Sequence, residues 1–150
     1  TSLGRLLVDH PEHRVEARRV LDAAVTAGPD YAFEALFLRG CLTRMEGCPG
    51  QALADLQAAL AMSPSMVAAH CELGLCLVAL DRPAEALPHL DRYLACSAWP
   101  PALQARARVH IALGAEDRAR ADIERCLELD PEDEDARSLL AELESATLPA

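Results

Sequence analysis

The 34-residue stretch from Phe33 to Met66, FEALFLRGCLTRMEGCPGQALADLQAALAMSPSM, decides the fold. Tyr31 to Glu46 carries a helical apolar pattern. Gly47-Cys48-Pro49-Gly50 interrupts it, because Gly and Pro punctuate helices and Pro cannot continue one. Gln51 to Met62 resumes the pattern and Ser63-Pro64-Ser65 ends it. The same arrangement then returns at a fixed distance. Gly40 and Gly74 lie 34 residues apart, as do Ala52 and Ala86, and Leu56 and Leu90. That recurrence is the period of a helix-turn-helix solenoid.

Working outward, three full blocks cover 33–66, 67–99 and 100–133, with a partial block over 1–30 and a capping helix over 132–146. The second block predicts helices over Val67 to Leu80 and Ala84 to Cys96, joined by Asp81-Arg82-Pro83 and closed by Trp99-Pro100-Pro101. The third predicts helices over Ala102 to Leu113 and Asp117 to Leu129. Small residues in the first helix of each pair (A) let the second helix (B) approach, and large aliphatic residues fill the seam. No hairpin buries its apolar face alone, so neighbours must stack. With 51% hydrophobic but only 3% aromatic residues, the composition suits close helix packing. In the last helix, Leu139, Leu140 and Leu143 share one side and Asp135, Glu142 and Glu144 the other, as a cap requires. Glu132-Asp133-Glu134-Asp135 places negative charge at its start, against the helix dipole.

These residues resemble the tetratricopeptide repeat family over nearly the whole chain. Gly40, Gly74 and Ala107 match its small helix A residue; Ala52, Ala86 and Ala119 match the small residue early in helix B. Leu56, Leu90 and Ile123 follow four residues on; Ala59 and Cys126 match the next small slot, where Tyr93 departs. Pro64 and Pro131 close their blocks, and Ala17, Leu21, Ala24 and Pro29 carry the match into the partial block. The bulky aromatic usual early in helix A is replaced by Leu36, His70 and Leu103. The resemblance implies an all-α, right-handed superhelical solenoid of antiparallel helix pairs. It also implies a non-catalytic protein–protein interaction module, expected to belong to a larger scaffold or adaptor protein.

The chemistry absent from the chain narrows the function. All 14 basic residues are arginine, and there is no lysine and no asparagine. A Walker A lysine, a Schiff base and an N-glycosylation acceptor are therefore excluded. Acids outnumber bases 24 to 14, for a net charge of −10, which argues against nucleic acid as a partner. No apolar run is long enough to cross a membrane, and Thr1-Ser2-Leu3-Gly4-Arg5 begins no signal peptide. The absence of an initiator methionine is what an excerpt of a longer chain would show. Cysteines at 41, 48, 71, 76, 96 and 126 form no Cys-x-x-Cys and sit mostly in apolar helical patterns, so reduced thiols and a cytoplasmic setting are expected. His70, Cys71 and Cys76 do not share a helix face suited to zinc, so no metal or cofactor is expected. Carboxylate pairs such as Asp122 with Glu124 are expected on solvated faces, without acid–base work.

The A helices of such a stack line its concave side. Helical spacing places Phe37, Leu38, Cys41, Arg44 and Met45 there from the first full block. Cys71 and Leu75 join them from the second, and Gln104 and Arg108 from the third. Some family members clamp a C-terminal carboxylate there with Lys, Asn and Arg. Without Lys or Asn that clamp is missing in its usual form, and Arg44 and Arg108 remain as bidentate donors. The apolar stripe points to a groove for an apolar peptide or amphipathic helix. The same residues packing between adjoining A helices is the plain alternative. Self-association of a structural repeat is the rival function, and a thiol- or metal-dependent enzyme the remote one.

Overall fold

The structure, a computed structural model, describes residues 10–30 and 32–147. Within them eight helices follow one another: α1 (Pro11–Ala27), α2 (Ala32–Met45), α3 (Pro49–Met62), α4 (Val67–Ala79), α5 (Pro83–Leu94), α6 (Pro100–Ala112), α7 (Glu116–Leu129) and α8 (Glu134–Thr147). The first nine residues of the expected partial block, including the stretch read for a signal peptide, lie outside the described residues, as does Tyr31.

Four prolines start helices here rather than ending them. Pro11, Pro49, Pro83 and Pro100 each open a helix, and none of the residues before them caps with its side chain. The missing proline N–H falls where a helix has no internal acceptor, and the fixed φ is already helical. This corrects the placing of Pro49 inside a breaking turn and of Pro100-Pro101 after the second block. The cap starts at Glu134 rather than Glu132, because Asp133 Oδ1 accepts from the Ala136 N–H at 3.0 Å and acts as the capping side chain.

The A-to-B turns repeat one device. Gly47, Asp81 and Gly114 have positive φ of 82°, 56° and 75°. Around them Cys48 N–H donates to Thr43 O, Arg82 N–H to Leu77 O and Ala115 N–H to His110 O. Each is the bond spanning the end of a Schellman motif, which satisfies the last carbonyls of helix A and reverses the chain.

Helices α2, α4 and α6 pair with α3, α5 and α7 as hairpins; α1 packs on α2 as a B helix packs on the next A helix, and α8 packs on α7 as a further A helix. Successive A helices also touch one another, whereas B helices make no comparable contact. The stack therefore curves with the A helices inside. Each hairpin closes on one small–large pair. A Cβ placed on Gly40 would sit 2.7 Å from Leu56 Cγ, and one on Gly74 2.8 Å from Leu90 Cγ. Leu56, Leu90 and Ile123 are completely buried, as are Ala52, Ala86 and Ala119 beside them. Burying each large side chain contributes about 1.5–3 kcal/mol. One apolar cluster joins the first two hairpins to Ala105 and Val109; the other joins the third hairpin to Ala136, Leu139 and Leu143 of α8.

Replacing Gly74 with Ala should gain up to about 1 kcal/mol of helix propensity but lose more to the clash with the immobile Leu90. Gly74→Leu should cost ~1–3 kcal/mol or more. Ala141 stands in register with Gly74 on α8 but is exposed, so Ala141→Leu should change stability by less than about 0.5 kcal/mol. Denaturant midpoints of the three variants check the assignment.

Candidate functional site

Arginines and cysteines on the concave face are more engaged than sequence spacing suggests. Arg44 does not stand free: its Nε donates to Glu72 Oε2 at 2.5 Å, joining α2 to α4. Burial alone would weaken its hold on the proton, but the Glu72 carboxylate outweighs that and raises its pKa. Cys71 is buried at 3% exposure, a core thiol rather than a groove residue. Gln104 donates to Asp133 Oδ2 at 2.7 Å, which ties α6 to the start of α8. What remains accessible is the strip of half-buried Phe37, Cys41, Met45 and Leu75, the 40%-exposed Leu38, and Arg108. Phe37 and Leu75 also pack against the core below, which is the plain alternative for these two residues. Arg108 is exposed, and its side chain takes part in no ion pair or hydrogen bond among the described residues. It borders a cavity of about 300 Å³ where α4, α6 and α8 meet, floored by Val78, Val109, Ile111, Ala112 and Leu139.

The thiols on and under this face are poor nucleophiles. Burial, with Glu72 nearby, pushes Cys41 well above the ordinary thiol value and Cys71 up to about 12; burial pushes Cys76 and Cys126 up to about 11. All six cysteines are free; Cys71, Cys76 and Cys126 are buried, Cys41 is half-buried, and Cys48 and Cys96 are exposed. No group of three or more His, Cys, Asp or Glu suited to a metal occurs among the described residues.

Away from the concave face, two matching ion triads join helices. Arg39 donates Nε and Nη2 to Asp55 of its own hairpin, both at 2.7 Å, and Nη1 to Asp22 of α1 at 2.8 Å. Arg106 repeats this with Asp122 at 2.9 and 2.7 Å and with Asp91 of α5 at 3.0 Å. The hydrogen bonds to Asp55 and Asp122 raise the pKa of the two guanidiniums despite burial. Asp122 is thus buried and paired, not on a solvated face as its acidic neighbourhood implied. The signal was present in the sequence, since both arginines precede their partner aspartate by 16 residues.

In the second hairpin the corresponding seam holds a histidine pair. His70 Nδ1 and His89 Nδ1 lie 2.9 Å apart with the rings stacked, and His70 Nε2 reaches Pro64 O at 3.2 Å. A carbonyl only accepts, so His70 is protonated on Nε2 and His89 Nδ1–H donates to His70. Burial, then the nearness of His70, lowers the His89 pKa, and burial lowers that of His110 beside Asp122.

No helix among the described residues is long and apolar enough to cross a membrane. A stack of helical hairpins with an apolar inner strip is the architecture of a protein-interaction repeat. Family models of the tetratricopeptide repeat match residues 47–102 and 100–143, and the chain belongs to that family. Solved structures share the fold at low identity. A tetratricopeptide repeat protein from Parabacteroides merdae is 22% identical with a TM-score of 0.73, over 95% of this chain and 57% of that one. This chain therefore spans little more than half of that protein's length. YrrB, described as a TPR protein with an unusual peptide-binding site, is 19% identical with a TM-score of 0.70, over 97% of this chain and 71% of that one. The first TPR of Spaghetti (RPAP3), bound to the HSP90 peptide SRMEEVD, is 21% identical with a TM-score of 0.69, over 76% and 91%. A search of curated protein sequences finds no match.

A thiol reagent should label Cys48 and Cys96 quickly in the native protein, Cys41 slowly, and the buried Cys71, Cys76 and Cys126 only after unfolding; rapid native labelling of Cys76 or Cys126 would contradict the packing. Acid should also weaken the fold through the histidines. His89 and His110 bind protons less readily folded than unfolded, so their contribution is complete above their ordinary value of 6.5 and is lost as pH falls through the lowered folded values. Thermal midpoints of His89→Gln should fall less between pH 7.5 and 5.5 than those of the parent.

Proposed function

We propose that the chain is one solenoid unit, with repeats over 33–66, 67–99 and 100–133, a partial repeat over 1–30 and the helix from Glu134 as its cap. Its concave face takes up a peptide or helix of a partner protein. The supporting observation is the contrast between the two sides of the A helices: residues facing helix B are closed, whereas Leu38 is 40% exposed and Phe37, Met45 and Leu75 only half-buried. The partner's apolar side chains lie along that strip and Arg108 orients the segment; Arg44, held by Glu72, shapes the wall. Two or three buried side chains would each contribute about 1.5–3 kcal/mol, and after ordering costs the affinity should be micromolar. We read the domain as a non-catalytic adaptor or scaffold element needing no cofactor, metal, nucleic acid or membrane. Its free thiols fit a cytoplasmic setting.

Self-association is a second reading, favoured by Val15 and Val20 on α1, which are 73% and 56% exposed.

Selection from a random-peptide display library tests the groove. The parent and a Glu124→Gln variant on the outer face should enrich the same peptides, with micromolar affinity. Leu75→Arg should lose at least about tenfold in affinity while keeping its helical circular dichroism. Asp91 is unsuitable as the outer-face control because it pairs with Arg106. Peptides that bind the Leu75→Arg protein normally would move the site off the concave face.

A further inference from the structure

The cavity between α4, α6 and α8 carries charges that the protein itself does not satisfy. Asp81, Arg108 and Glu142 border it, all exposed, and none of their side chains takes part in an ion pair or hydrogen bond among the described residues. Its walls are apolar, and its volume of about 300 Å³ is at the lower end for a ligand cleft, room for one long side chain. Asp81 occupies the left-handed turn position that Gly47 and Gly114 fill in the other two hairpins. A side chain there is conformationally unfavourable relative to glycine, and what it adds is a carboxylate at the cavity.

We propose that this cavity anchors a lysine or arginine side chain of a peptide lying in the concave groove, so that the partner segment is basic and amphipathic. The proposal rests on the groove reading above. The alkyl stem of the incoming residue covers Val78 and Ile111, as long cationic side chains do on apolar surface, while its charged end stays near water. Asp81 and Glu142 receive that charged end. Arg108 donates to a backbone carbonyl of the peptide. Two carboxylates against one guanidinium leave this rim negative, in a chain of net charge −10. An acidic side chain would meet like charge from Asp81 and Glu142.

Fluorescence anisotropy with three labelled nonapeptides tests this, each alternating leucine with lysine, glutamate or glutamine. The lysine peptide should bind about tenfold more tightly than the glutamate peptide, and added salt should narrow the gap. Asp81→Gly and Glu142→Gln should each reduce that preference several-fold, with the Asp81→Gly thermal midpoint unchanged or raised. Leu75→Arg should weaken even the neutral glutamine peptide. Equal or tighter binding of the glutamate peptide, still sensitive to Leu75→Arg, would overturn the basic partner and leave the groove standing. A lysine preference that survives both carboxylate variants would also overturn it. If the parent binds none of the three peptides, the cavity proposal and the groove reading fall together.

Discussion

Close approach of two helices at a missing side chain is the constraint on which the rest depends. Gly40 and Gly74 leave no room for a Cβ against Leu56 and Leu90, and Ala107 faces Ile123 in the corresponding place. Only because each hairpin closes so tightly do its A and B helices act as one rigid unit. Rigid units then stack through their remaining apolar faces, and the inner A helices come into mutual contact. The concave strip is a by-product of that stacking, since its residues are those that neither helix B nor the next hairpin fully covers.

Electrostatics decorates this frame unevenly. The first and third hairpins hold an arginine between two aspartates, one from the same hairpin and one from the helix before. Such groups are partly shielded from water, so removing the arginine would strand Asp122 in the interior, a costlier change than losing an exposed pair. The second hairpin has Leu73 in place of the arginine and His89 in place of the aspartate. Its seam carries a histidine pair instead of an arginine–aspartate tie.

The fold was legible because its decisive residues recur. A glycine repeating 34 residues later, with an alanine and a leucine at the same offset, carries three-dimensional information in a one-dimensional spacing. Helix ends were less legible: Pro49 and Pro100 fit equally a turn or a first helical residue, and only the chain direction around them decides. The candidate site was legible in outline. Spacing placed Leu38, Leu75 and Arg108 on the inner side, but said nothing of which charges find partners. Arg44 met Glu72 on the neighbouring helix, Cys71 sank into the core, and Asp81 gained meaning only when its turn proved equivalent to those of Gly47 and Gly114. Pairing across stacked units depends on small rotations between hairpins, which no residue pattern encodes by itself.

The looser contact between successive B helices among the described residues bears on how the stack can bend. A stack fastened along its inner line and open along its outer one bends by fanning, with the A helices as the axis. The joints differ in their ionic ties. Arg39 and Asp22 bind α1 to α2, and Arg106 and Asp91 bind α5 to α6, while no such link joins α3 to α4 among the described residues. At that joint the ionic tie lies inside, where Arg44 holds Glu72 across α2 and α4. That joint is thus tied on its inner side and carries no ion pair at its back among the described residues.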